Sequence, residues 1–150
     1  MNNYDSSADT LLHIKRVGNF LHKVSMELLA RADNHDGSKL RSPEKEIFDI
    51  YTPKLKGTTY GSEEYKGYLK EMNKALDSHY ALNHHHPEHY EDGINDMDLI
   101  DLIEMICDWR AATERHADGD IRTSIIKNAE RFKISPQLEK ILHLTVKRYF

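Results

Sequence analysis

The stretch SADTLLHIKRVGNFLHKVSMELLARA, residues 7–32, decides the fold. Its apolar residues Leu11, Ile14, Val17, Leu21, Val24 and Leu28 recur at steps of three and four, the period of a helix face. Ser6, three places before Asp9, adds an N-terminal start signal. A helix is therefore predicted from about Ser7 to Ala32. Working outward, Asn34-His35-Asp36-Gly37-Ser38 has turn chemistry, and Ser42-Pro43 opens a second helix with proline in its first turn, where a missing N–H costs nothing. Pro53, Gly57 and Gly61 mark Thr52 to Gly61 as a loop. Ser62, followed by Glu63 and Glu64, caps a third helix reaching about Leu82.

The segment Asn83 to Asn95, rich in His, Pro, Asp and Gly, reads as an irregular loop. A fourth, very apolar helix is predicted from about Asp96 to His116, carrying Leu99, Ile100, Leu102, Ile103, Ile106 and Trp109, with Asp118-Gly119-Asp120 breaking it. A fifth runs from about Ile121 to Phe132, and a sixth starts at Ser135-Pro136 and ends near Arg148. With no repeat, no linker and no useful β-type alternation, the expectation is an all-α, single-domain bundle of five to six helices over residues 1–150.

Composition narrows the function. The 150 residues match one domain able to bury a core without disulfides, and the single Cys107 fits a reducing, cytoplasmic setting. The polar start MNNYDSSADT is unlike a secretory signal, and no apolar run approaches the roughly 20 residues that cross a bilayer. A formal charge of −4 argues against a polynucleotide partner, which needs a dense basic surface. Histidine is in excess, ten in all with five between His79 and His89, which favours a metal site. An exposed part of the fourth helix would make a homodimer reasonable.

Three signals carry chemistry. His35-Asp36 offers a nitrogen and an anionic oxygen from adjacent residues, although a polar loop after the first helix explains it as well. Asp101, Glu104 and Asp108 share one helical face and must be solvent-facing, salt-bridged or metal-bound; an ordinary wet face suits Glu104, and Asp108, between Cys107 and Trp109, is open to either reading. On the first helix, His13 and His22 lie about two and a half turns apart, so only one of them faces a common site.

The order of these residues resembles the H…HD…D signature of the HD-domain metal-dependent phosphohydrolases. HIKRV looks like that family's H-x-x-R-V, HDGSK like its HD-x-G-K with one shift, and CDW stands where the family has A-D. The resemblance covers roughly the first two-thirds of the chain. It implies a helical scaffold holding a divalent metal through His13, His35, Asp36 and Asp108. His79, His85 and His86, followed by Glu88 and Asp92-Gly93, look like the HHE…DG region of binuclear subfamilies, including cyclic-dinucleotide phosphodiesterases, and this implies further ligands and one or two ions. Ile94-Asn95 replace the aromatic and proline residues that follow in that pattern. The chain also resembles bacterial and phage proteins of unassigned activity carrying RAxxHDxSKL, YGSEEY and NxHHPEHY.

The resemblance implies hydrolysis of a small phosphate ester, with a nucleotide as the expected substrate. The His/Asp mixture suits Mn, Fe, Co, Ni or Zn. Asp108 would orient or deprotonate the attacking water and Glu88 would be a second acid/base. Lys39 and Arg16 would meet phosphate, although surface placement is the commoner fate of such cations. His84 and His89 read as exposed loop residues. Asn128 and Arg131, after the Arg115 to Asp120 segment, form either the wall of a nucleotide pocket or a helix corner, the corner being preferred. The competing expectations are a protein that sequesters a nucleotide or signalling molecule without turnover, and a helical bundle whose histidines are incidental.

Overall fold

A computed structural model describes residues 4–59, 61–115 and 119–150. The chain is all-α, with seven α-helices and three short 3-10 turns among the described residues. It forms two compact units that divide between His35 and Asp36.

The first unit is one helix, α1 (Ser7–Asn34), two residues longer than its periodicity indicated. The extension is held by Asn34, whose side-chain amide donates to Ala30 O at 2.8 Å. Ser6 occupies the N-cap position without using its side chain; Asp5 accepts from Ser7 N at 2.9 Å instead.

The second unit opens at Asp36, whose φ of 56° lies in the left-handed region that Asp tolerates better than most residues. A 3-10 turn, Gly37–Leu40, leads into α2 (Glu44–Lys56). Two expectations are corrected here. Pro43 precedes α2 as its N-cap instead of entering the first turn, and Pro53 lies inside the helix. The expected loop at Thr52 therefore begins only after Lys56. A proline this near a C-terminus removes one helical hydrogen bond, and the turn still closes through Gly57 N to Lys54 O at 3.0 Å.

Ser62 caps α3 (Glu63–Glu71) as its sequence indicates, its Oγ accepting from Tyr65 N at 3.1 Å. The single helix expected up to Leu82 is instead two. Met72, 1% exposed, stands between α3 and α4 (Asn73–Leu82), and its carbonyl accepts from Ala75 N at 2.8 Å, a tight three-residue step. Met72 and Ala75 are both buried, and α4 packs on α2. Tertiary burial of that pair overrides a helical pattern that would have run straight on.

The irregular loop after α4 contains two 3-10 turns, Pro87–His89 and Gly93–Asp96. Then α5 (Leu99–Thr113) begins three residues later than expected. Asp98 and Asp101 form a reciprocal capping box that fixes the start, with Asp98 Oδ1 accepting from Ile100 N and Asp101 N. The expected end at His116 and the break at Asp118 lie outside the described residues. Asp120 caps α6 (Ile121–Phe132), which stops where Lys133 turns left-handed at φ 53°. Ser135 caps α7 (Pro136–Tyr149).

The main core joins α5, α6 and α7 through Met105, Ile106, Trp109, Ile125, Ala129, Leu142 and Val146, with Met97 and Ile134 from the connections. Burying each large aliphatic side chain here contributes roughly 1.5–3 kcal/mol. No helix among the described residues is long and apolar enough to cross a membrane.

Candidate metal centre

Four side chains of the second unit converge. Asp36, His79, His85 and His86 each offer a donor atom, and all four atoms lie within 4.8 Å of one another. They come from the turn before α2, the last turn of α4 and the loop that follows it.

Asp36 is held from one side by Lys39, whose Nζ is 2.6 Å from Oδ2. Its Oδ1 lies 3.2 Å from His79 Nε2 and 3.6 Å from His85 Nε2. His79 and His85 are each 1% exposed. Each has a carboxylate behind it: Glu44 Oε2 is 3.0 Å from His79 Nδ1, and Glu104 Oε1 is 3.2 Å from His85 Nδ1. Both imidazoles thereby turn Nε2 toward Asp36. The third ring brings its Nε2 to 2.9 Å from His79 Nε2 and lies 4.1 Å, centroid to centroid, from His85.

Burial, followed by the neighbouring His85 and His79, holds His86 down from 6.5 to about 3. The ring is neutral at physiological pH, with a lone pair to offer. A stability consequence follows in metal-free protein. The unfolded chain takes up this proton near pH 6.5 and the folded chain only near pH 3, so stability is highest above about 6.5 and declines as pH falls toward 3. Urea melts between pH 7 and 4 should show the decline, with a shallower slope in His86→Gln; equal slopes in the two proteins would refute this source.

Three imidazoles and a carboxylate, two of the rings oriented by outer carboxylates, suit a borderline divalent cation such as Mn, Fe, Co, Ni or Zn. The 2.9 Å separation of the two Nε2 atoms matches the roughly 3 Å between two donors at right angles, each about 2.1 Å from one ion. Asp108, on α5, brings a carboxylate oxygen within 4.8 Å of one from Asp36.

His13, Arg16 and the rival His22 occupy exposed positions on α1, and His35 ends the first unit as the C-cap of that helix. Lys39 is committed to Asp36 and also lies 5.3 Å from the centre of the Phe48 ring. Glu88 pairs with Arg131 Nη2 at 2.7 Å, which ties α6 to the loop and gives Arg131 the corner role. His84 is exposed, whereas His89 is half-buried with Nδ1 2.8 Å from Tyr80 O.

Two readings of the α5 acids change. Glu104 is not on a wet face: its side chain is 14% exposed and faces His85. Asp101 is 3% exposed and takes a 2.6 Å hydrogen bond from Tyr90 Oη besides its capping role. Sequence reasoning missed Glu44, Ser38, Ser78 and Asn83 altogether. Glu44 looks like any acid in a first helical turn, and no local pattern marks it as buried.

No curated protein and no solved structure matches the chain. A family model described as a family of unknown function, DUF5662, matches residues 2–148, and the chain belongs to that family.

Proposed function

We propose that the chain is a metal-dependent phosphohydrolase acting on a nucleotide or a related small phosphate ester. The observation that carries this reading is the convergence of Asp36, His79, His85 and His86 from three separate segments. A buried group of this kind is costly unless its members are paired or ligate a cation. Asp36 and Asp108 are also the D of the HD pair and the final D of the H…HD…D pattern, and each offers a carboxylate oxygen within 4.8 Å of the other. His13 and Arg16 belong to the first unit and enter the reading through that resemblance alone.

Asp36, His79, His85 and His86 would hold a divalent cation, which would supply Lewis acidity toward water and phosphoryl oxygens. The chain's own residues do the rest. His79 and His85 are held rigidly by Glu44 and Glu104. Asp108 accepts a proton from the attacking water, and Asp36 is held in orientation by Lys39. Lys39, held on Asp36, would also offer a cation to a phosphate oxygen.

The test starts from protein purified without a chelator or a histidine tag. Metal content is measured, the protein is reloaded separately with Mn, Fe, Co, Ni or Zn, and hydrolysis is assayed on aryl phosphomonoesters, aryl phosphodiesters and a nucleotide panel. Stoichiometric metal with chelator-sensitive turnover is expected. Tight nucleotide binding without turnover would select sequestration, and no metal under any loading would remove the basis of the proposal.

A further inference from the structure

Among the described residues Glu44 is the most deeply buried carboxylate of the second unit, at 1% exposed, and no part of the proposed chemistry requires it to meet substrate. It sits in the first turn of α2, 35 positions from the histidine it faces. Its Oε2 lies 2.8 Å from Ser38 Oγ and 3.0 Å from His79 Nδ1, and its Oε1 lies 3.2 Å from Ser78 Oγ.

The hydrogen bonds around His79 Nδ1 favour one ring proton position. Three polar atoms surround it: Glu44 Oε2 at 3.0 Å, Asn83 Nδ2 at 3.0 Å and Ser38 Oγ at 3.2 Å. The Asn83 amide has two hydrogens. One goes to His79 O at 2.7 Å and the other to Ser38 Oγ at 2.9 Å. The close backbone carbonyl also fixes which way the amide points, since an oxygen there would face an oxygen. The single Ser38 hydroxyl proton goes to Glu44 at 2.8 Å. With those bonds made, neither neighbour has a proton left for Nδ1, and an ionised carboxylate only accepts.

We infer that Glu44 is a positioning residue that holds the Nδ1 proton of His79, leaving the Nε2 lone pair facing the donor cluster of Asp36, His85 and His86. The inference about the proton stands on the metal-free geometry; only its consequence for metal affinity rests on the proposed function. Ser38, Ser78 and Asn83 complete the cage by saturating the carboxylate and denying Nδ1 any other partner. Loss of an outer hydrogen-bond partner of this kind typically lowers metal affinity about 10–100-fold.

Histidine-selective ¹⁵N NMR on full-length metal-free protein, with His79 assigned by comparison with His79→Gln, reads the proton directly. Wild type should show His79 protonated at Nδ1. Glu44→Gln, which keeps an accepting oxygen, should retain that state, whereas Glu44→Ala should redistribute it. His79 carrying its only proton on Nε2 in wild type would overturn the inference. Titration with Mn²⁺ or Zn²⁺ then separates the two claims. Affinity that falls about 10–100-fold in Glu44→Ala and is substantially restored in Glu44→Gln supports the positioning role. Wild type that binds neither ion while showing the Nδ1 proton would sink the metal-centre reading and leave the Glu44 assignment intact; unchanged affinity in Glu44→Ala would refute its role in tuning the site.

Discussion

Replacing Asp36 with alanine is expected to abolish divalent-metal binding and, with it, the proposed phosphate-ester hydrolysis. Asp36 Oδ1 is 3.2 Å from His79 Nε2 and 3.6 Å from His85 Nε2, so one carboxylate serves both buried imidazoles. It is also the only anionic member of the four converging donors. Loss of an outer hydrogen-bond partner costs about 10–100-fold in metal affinity, so loss of the ligand should exceed about 100-fold. The substitution has a second effect in the same direction: Lys39, now 2.6 Å from Asp36 Oδ2, is left as an uncompensated cation beside the centre. Glu88→Gln is the matched control, because Glu88 pairs with Arg131 and belongs to none of the ligand groupings among the described residues. The ratio of metal to protein after dialysis, with turnover in parallel, checks the expectation. Stoichiometric metal retained in Asp36→Ala would rule out the site as drawn.

Metal loading should also raise the thermal midpoint by about 5–10 °C. The donors belong to a turn, a helix and a loop, so the unfolded chain does not hold them together. A ligand that binds only the folded state at about 100 times its Kd stabilises by about 2.7 kcal/mol. For a chain of this length each kcal/mol moves the midpoint roughly 2–4 °C. Calorimetry of the chelated protein before and after addition of Mn²⁺ or Zn²⁺ should show the rise, its reversal by chelator and its loss in His79→Ala. Midpoints that coincide with and without either ion would argue that the histidines serve packing alone.

Much of the helical framework is legible from local chemistry. The three- and four-residue apolar steps of α1, the Ser62, Asp120 and Ser135 caps, and Pro136 at the start of α7 each act within a turn or two of chain. Departures occur where packing competes with those signals. Met72 interrupts a helical pattern because it is buried, and Pro53 is tolerated because α2 ends one turn later.

The candidate site divides along the same line. His35-Asp36 and the run His84-His85-His86 announce ligand chemistry by residue type, and a histidine run cannot direct every ring to one point. The choice of His85 and His86 over His84 agrees with the buried and half-buried positions the loop gives them. Glu104 was legible as an acid but not as a partner of His85, since an exposed and a buried acid have the same helical spacing.

By itself the sequence determined the all-α class, most helix starts and the supply of imidazole and carboxylate, because periodicity, capping and residue chemistry are short-range properties. Only the tertiary structure decided that Glu44 meets His79 across 35 positions, that Glu104 turns inward, and that Asp36 stands between two buried imidazoles. The physical reason is desolvation. A carboxylate or imidazole is kept from water only where complementary groups converge on it, and that convergence is set by how α2, α4, α5 and their connecting loop pack.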